Sequence, residues 1–462
     1  MKLAPQILNI LWFLSFCTAG FASHSNPQLG GGDLNPGIHA NRDSLEAFQD
    51  MRVGLSIHWG PSSLGGKEIS WARGTDIPRE TYDAYYKEFR PVNFNAREWV
   101  TLAKAGGMRY ISLTSKHHDG FSLWFSSVTD YDMESTPLKR DIVRELADAC
   151  SEAGIVFGSY YSIIDWYHPD YHPQSHGGPG ELIPAKADAP VFERYLRFMK
   201  TQLRELIVDY GAKIIQFDGE WEHTWNHVLG SDLYLYCRKL NDEVLVNSRT
   251  DIGRMVKQKI GGDWDWTTYA GDYEERERMV EWVEGEHADV QGMSEIPWQA
   301  WVTIDRLQWS YNETPGLMSP SEVVHDLLAI VGDNGNYMIN LGPRPDGSFH
   351  PEQVAVVREV GDWLKYHGLG IYGTRGGPWR ETGSYTSTVR DGCVYLFVLD
   401  PSKTGIVLPL QDKKVTSVEP FGQSSSTASI KVSEEGLHLH FQGKPDTMGV
   451  RAFQIHLEGS AQ

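Results

Sequence analysis

The chain has 462 residues, with 42 basic against 61 acidic side chains and a formal net charge of −19. No basic face is apparent that would neutralise a phosphate backbone, which sets nucleic acid aside as a partner. Four cysteines, Cys17, Cys150, Cys237 and Cys393, show no C-x-x-C spacing and exclude a disulfide scaffold.

Residues 1–22 carry one lysine, an interrupted apolar stretch and small residues at Gly20 and Ala22, the pattern of a secretory signal cut near Ala22. Their apolar part is too short and too broken for a membrane span. No later segment reads as transmembrane, so a secreted or periplasmic protein is expected. From there one theme repeats: a short apolar strand ends in polar or aromatic residues, and a helical stretch follows. V-G-L-S-I-H-W-G (53–60) is the first strand. The stretch 94–107 has helical periodicity, stops at glycines and leads into M-R-Y-I-S-L-T-S-K-H-H-D-G (108–120). A helix from Asp141 to Ala153 feeds a strand at 155–162, and one from Val191 to Tyr210 feeds A-K-I-I-Q-F-D-G (212–219). Further strands are expected at 243–249, 297–304 and 335–342.

Such strands, little alternated and several preceded by a helix, predict parallel β-structure covered by helices. Polar residues gather at the strand C-termini, which suits a (β/α)8-like TIM barrel over residues 23–368. An open doubly wound sheet is disfavoured, because no glycine-rich phosphate loop follows the first strand. After Gly370 the texture changes to strand-like segments at 385–389, 393–399, 414–420 and 437–441 separated by turn residues, which predicts a C-terminal β-sandwich over 369–462. Gly373 to Pro378 reads as a linker or an intruding loop; for Arg375, Gly376, Gly377 and Trp379 a surface linker is preferred to a reach into the active face.

The stretch I-I-Q-F-D-G-E-W (214–221) sets a carboxylate at the end of a buried strand beside aromatic residues. A chain rarely buries Asp218 there unless it is paired, hydrogen-bonded or chemically useful. The barrel's polar face would gather His58, Trp59, His117, His118, Asp119, Tyr160, Asp218 and Arg249. Adjacent His117 and His118 on an extended strand would point apart and serve two layers. A zinc site has no diagnostic ligand spacing here, and no G-x-S-x-G elbow follows a strand. Two carboxylates across a glycosidic bond remain, with Asp218 as nucleophile. Sixteen tryptophans and 21 tyrosines fit a sugar site, since aromatic faces stack on the C–H surface of a pyranose.

From Met51 to Thr374 the chain resembles the α-L-fucosidases of glycoside hydrolase family 29. The resemblance is carried by G-L-S-I-H-W-G (54–60), S-K-H-H-D-G-F (115–121), Q-F-D-G (216–219), V-N-S-R (246–249), G-D-Y-E-E-R-E-R (271–278) and G-N-Y-M-I-N-L-G-P-R-P-D-G (335–347). It implies a retaining exo-hydrolase of fucosylated oligosaccharides or glycoconjugates, without metal or cofactor, using Asp218 as nucleophile. By match, His58, Trp71, His117, His118, Tyr160 and Arg249 would line the fucose pocket. The acid/base glutamate varies in position across the family. Glu274, Glu275 and Glu277 are available; Glu277 is preferred because it precedes an arginine, with Glu275, Glu286 and Glu295 open. For most carboxylates in so dense a charge run, a solvated face is expected.

Three departures stand out. Ser70-Trp71 replaces a common Glu-Trp, Gln216 replaces a tryptophan two residues before the nucleophile, and Trp298-Gln299 replaces a Trp-Glu pair. Gln216 and Ser70 are therefore expected to contact substrate and to favour an additional hydroxyl, as in an α-L-galactosidase. A carbohydrate-binding protein without turnover is the other alternative.

Overall fold

The computed structural model describes residues 40–171, 190–222, 224–252, 270–277, 297–409 and 414–458. Residues 1–22, with their expected signal, and Glu286 and Glu295 lie outside that set. Among the described residues no helix is long and apolar enough to cross a membrane.

Eight parallel strands form the first sheet: β1 (Val53–Ile57), β2 (Tyr110–Lys116), β3 (Val156–Ser162), β4 (Ile214–Asp218), β5 (Leu245–Val246), β6 (Glu274–Glu277), β7 (Trp298–Thr303) and β8 (Asn336–Leu341). Their order is β5-β4-β3-β2-β1-β8-β7-β6. A parallel bridge between Asn247 and Tyr273 then joins β5 to β6, with Ser248 N–H donating to Tyr273 O at 2.8 Å. The sheet is a closed barrel, and closure leaves no sheet edge to pair with another chain.

The strands carry two apolar codes. On β4, Ile215 and Phe217 face the helices, whereas Ile214, Gln216 and Asp218 face the barrel interior. Val53, Leu55 and Ile57 of β1 likewise pack outward, leaving Gly54 and Ser56 inside. A Cβ on Gly54 would meet the Tyr110 ring at 2.3 Å, so glycine there admits the tyrosine to the interior. The helix Arg42–Met51, N-capped by Asn41, inserts Leu45 and Phe48 into the same interior cluster and plugs the bottom.

The helices Ala96–Ala105 and Ile142–Ala153 match their sequence signals: Asn95 and Asp141 accept backbone N–H groups at their starts, and each stops at glycine. The long helix expected to Tyr210 is α-helical over Phe192–Arg204 and then widens into a π-turn over Glu205–Asp209. That turn places Glu205 against the Trp124 indole, whose N–H donates to it at 2.7 Å.

One barrel strand escaped the sequence reading. Glu274, Glu275 and Arg276, taken with Glu277 as a charge run, are almost fully buried on β6. Glu275 accepts from amide side chains and the Arg276 guanidinium lies over the Trp298 ring at 4.9 Å, so a run of charges here is a strand and not a solvated face.

The C-terminal part forms two antiparallel sheets, β13-β16-β11-β10-β9 and β12-β15-β14. Their strands are β9 (Arg375–Gly376), β10 (Tyr385–Arg390), β11 (Cys393–Val398), β12 (Gly405–Leu408), β13 (Val415–Pro420), β14 (Thr427–Ser433), β15 (Gly436–Gln442) and β16 (Arg451–Leu457). β11 is buried on both faces. Val394, Leu396 and Val398 fill the sandwich core, while Tyr395 and Phe397 join the barrel's hydrophobic cluster beside Trp363 of the helix Pro351–His367. The connecting segment is not a surface linker. Arg375–Gly376 pairs with β10, Trp379 lies in the sandwich core, and the buried Arg52 guanidinium donates to Thr374 O at 3.1 Å.

At this seam the Trp363 indole N–H donates to Asp446 at 2.7 Å and its ring stacks on His367 at 4.0 Å. Trp363→Ala is expected to lower unfolding stability by about 3–5 kcal/mol, as for other buried aromatic truncations, read as a shift in the denaturant midpoint.

Candidate active site

The catalytic candidates sit where strands end, because each strand stops hydrogen-bonding there and its last side chains face an opening. Asp218 closes β4. The chain then turns through Gly219 at φ +100°, where a Cβ would meet Ile164 at 2.5 Å. Asp218 is 6% exposed and fully partnered. Its Oδ1 accepts from Arg249 Nη1 at 2.5 Å, its Oδ2 accepts from the Tyr160 hydroxyl at 2.7 Å, and His118 Nε2 stands 3.6 Å from Oδ2. The carboxylate is tolerated in the interior because a guanidinium and a phenol hydrogen-bond to it.

Arg249 lies in the short turn after β5 and joins the two candidate carboxylates. Its Nη1 holds Asp218, and its Nη2 reaches Glu277 Oε1 at 2.7 Å. A third carboxylate, Glu220, lies 3.9 Å from Nη1 and is 5% exposed. Burial pushes the Glu220 carboxyl up to about 8; Arg249 opposes that shift and Asp218 adds to it. Burial also raises the Arg249 site's cost, but Glu277, Glu220 and Asp218 more than offset it and hold the guanidinium charged.

The three histidines are neutral. Burial drives His58 and His118 down to about 3, with Lys116 and Arg249 adding to the effect at His118. His117 lies well below the ordinary imidazole range for the same reason. Each is fixed through Nδ1: His58 to Asn340 Oδ1 at 2.5 Å, His117 to Ser70 Oγ at 2.6 Å and His118 to Ser162 Oγ at 2.6 Å. Asn340 Nδ2 donates to Trp309 O at 2.7 Å, so its oxygen must face His58. His58 then carries its proton on Nδ1 and leaves Nε2 as an acceptor. Among the described residues no group of three His, Cys, Asp or Glu side chains is arranged to hold a metal ion.

His58, Trp71, His117, His118, Asp218, Trp221, Glu277, Trp301 and Trp309 line one small cavity of about 70 Å³. Tyr160 stacks on His117 at 5.1 Å and Arg249 bridges the carboxylates just behind the lining. His117 and His118 do not serve opposite layers. β2 ends at Lys116, so strand alternation no longer separates them, and their ring centroids are 4.2 Å apart.

Two expected contacts are corrected. Gln216 is fully buried one layer beneath Asp218, as the two-residue period of β4 requires, and donates to Glu275 at 2.8 Å. Ser70 is also fully buried; its hydroxyl serves His117 and accepts Asp119 N–H at 3.0 Å. Neither lines the cavity. Trp221, Trp301 and Trp309 were missed. Trp301 was readable by parity, since it shares the interior face of β7 with Gln299 and Thr303; Trp309 follows the strand and carries no such signal.

Tyr160→Phe removes a hydroxyl donor to a buried carboxylate, a loss of about 1.5–3 kcal/mol. Turnover of an activated aryl glycoside is expected to fall roughly tenfold to hundredfold, measured as kcat/KM in a stopped assay.

A parallel barrel with two carboxylates, neutral imidazoles and tryptophan faces around a small cavity at its strand ends defines a carbohydrate-active hydrolase. The α-L-fucosidase family model matches residues 37–369. Human tissue α-L-fucosidase is 28% identical over 432 residues, covering 86% of this chain and 85% of its own. The α-L-fucosidase isoenzyme 1 structure from Paenibacillus thiaminolyticus superposes with TM-score 0.77 at 28% identity, over 90% of this chain and 99% of that one. A family 29 α-L-fucosidase from Bacteroides thetaiotaomicron gives TM-score 0.78 at 25% identity, over 94% and 99%. The chain belongs to the α-L-fucosidase family, glycoside hydrolase family 29.

Proposed function

We propose that this chain removes terminal α-L-fucose from glycans with net retention, Asp218 acting as nucleophile and Glu277 as acid/base. In the first step an Asp218 oxygen attacks the anomeric carbon, the bond to the aglycone oxygen breaks, and Glu277 gives that oxygen its proton. In the second step Glu277 takes a proton from water as the water oxygen displaces Asp218. Every proton and electron pair comes from these side chains, the sugar and water. The observation that carries the reading is the Arg249 bridge, which brings the Asp218 and Glu277 carboxyl groups to one opening, 2.5 Å and 2.7 Å from the same guanidinium.

With Gln216 and Ser70 away from the cavity, the case for L-galactose loses its support. Four tryptophans on the lining instead present apolar faces suited to the C6 methyl of fucose. The proton NMR spectrum of the first sugar released from 4-nitrophenyl α-L-fucoside should be that of the α-anomer, and the α-L-galactoside should turn over more slowly. Initial β-anomer would contradict retention, and silence on both would favour carbohydrate binding without turnover. Export through residues 1–22, with a barrel over 23–368 and a sandwich over 369–462, belongs to the same reading.

A further inference from the structure

Beneath the cavity lies a carboxylate that the reaction above does not use. Glu275 precedes Glu277 by two residues on β6, so it faces the interior one layer deeper, and it is 4% exposed. Its Oε1 accepts from Gln216 Nε2 at 2.8 Å and from Gln299 Nε2 at 2.9 Å. Its Oε2 accepts from Asn247 Nδ2 at 2.7 Å. The Tyr110 hydroxyl donates to Gln299 Oε1 at 2.5 Å, which turns that amide's nitrogen toward Glu275. Asn247 in turn grips the peptide before the nucleophile: Oδ1 accepts Phe217 N–H at 2.8 Å and Nδ2 donates to Phe217 O at 2.8 Å. Asn247 also opens the turn Ser248–Thr250 that carries Arg249.

We propose that Glu275 is a positioning residue for hydrolysis, a buried carboxylate that fixes Asp218 and Arg249 through Asn247 and is itself held by the amide pair Gln216 and Gln299. The inference rests on Asp218 as nucleophile. A carboxylate accepts from three N–H donors at once, whereas a carboxamide must turn its own NH2 toward at least one of them. The two glutamines are thereby explained together, as donors to one buried anion.

The groups facing Glu275 are Tyr110 from β2, Gln216 from β4, Asn247 and Arg249 after β5, Tyr273 and Glu277 beside it, and Gln299 from β7. Burial pushes its carboxyl up to about 7, opposed first by Arg249 and then by Asn247 and Gln299, and raised further by Glu277. Above that pH it is ionised and accepts all three donors. Below it, a proton enters among N–H groups and the hold on Asn247 weakens, so kcat is expected to fall on the acidic side.

The test is Glu275→Gln in the full chain, assayed on 4-nitrophenyl α-L-fucoside beside Asp218→Ala. Glu275→Gln should lower kcat about tenfold or more, as loss of a supporting hydrogen-bond partner does elsewhere, with KM nearly unchanged. Unchanged kcat, or a rise confined to KM, would overturn the proposal. Gln216→Met removes one donor and should move the acidic limb of the kcat profile to higher pH, even where Glu275→Gln fails to fold. A limb that stays in place would overturn the proposal too. Activity surviving in Asp218→Ala marks failure of the nucleophile assignment instead, whatever Glu275→Gln does.

Discussion

Asp218→Ala is expected to lower hydrolysis of 4-nitrophenyl α-L-fucoside on the order of ten-thousand-fold, the loss typical when a covalent nucleophile is removed. The substitution leaves Arg249 paired to Glu277 and near Glu220, and it removes only a side chain at a strand end. The fold should therefore persist, with melting close to wild type. The shortened side chain opens space on the attacking face. Azide should enter there and return part of the activity, releasing β-L-fucosyl azide by a single inversion. Recovery of α-azide would mean that another carboxylate still forms the intermediate.

Glu277→Gln should show the opposite dependence. General acid catalysis contributes about 10²–10⁴-fold, most where the leaving group is poor. A fucosylated oligosaccharide should lose activity in that range, while the nitrophenyl fucoside, whose leaving group needs little protonation, should retain most of its fucosylation rate. The trapped intermediate then lacks a base for water. Azide, which needs none, should accelerate turnover and yield α-L-fucosyl azide. Glu220→Gln is the necessary companion, because that buried carboxyl, pushed up to about 8, holds a proton at neutral pH. If Glu220→Gln shows this leaving-group signature and Glu277→Gln does not, the acid/base role passes to Glu220.

Seven of the eight barrel strands were legible because an apolar run ending in polar residues has a single physical meaning in a closed parallel sheet. The eighth was not. E-E-R-E gives no hydrophobic signal, since Glu275 is held by amides and Arg249 supports Glu277 from a different strand end. Interior positions of this barrel are polar in several strands, so hydrophobicity marks the helix-facing side and not the inside. Gln216 was expected at the substrate because it replaces a tryptophan of the family that the chain resembles; the two-residue period puts it a layer below Asp218. Ser70 adopts φ +61° and commits its hydroxyl to His117, a local geometry no residue pattern announces. In the sandwich, β9, β12, β14 and β16 were not among the expected strands; at β14 the edge position leaves Ile430 and Val432 exposed and blurs the alternation.

The central claim is that Asp218 becomes covalently bonded to the sugar. Incubation with 2-deoxy-2-fluoro-α-L-fucosyl fluoride, then proteolysis and mass spectrometry, tests it directly. The fluorine slows both steps, the fluoride leaving group restores the first, and the intermediate accumulates. One fluorofucosyl group should be found on the peptide containing Ile214 to Trp221, attached at Asp218. A label on Glu220, Glu277 or any other residue would contradict the account.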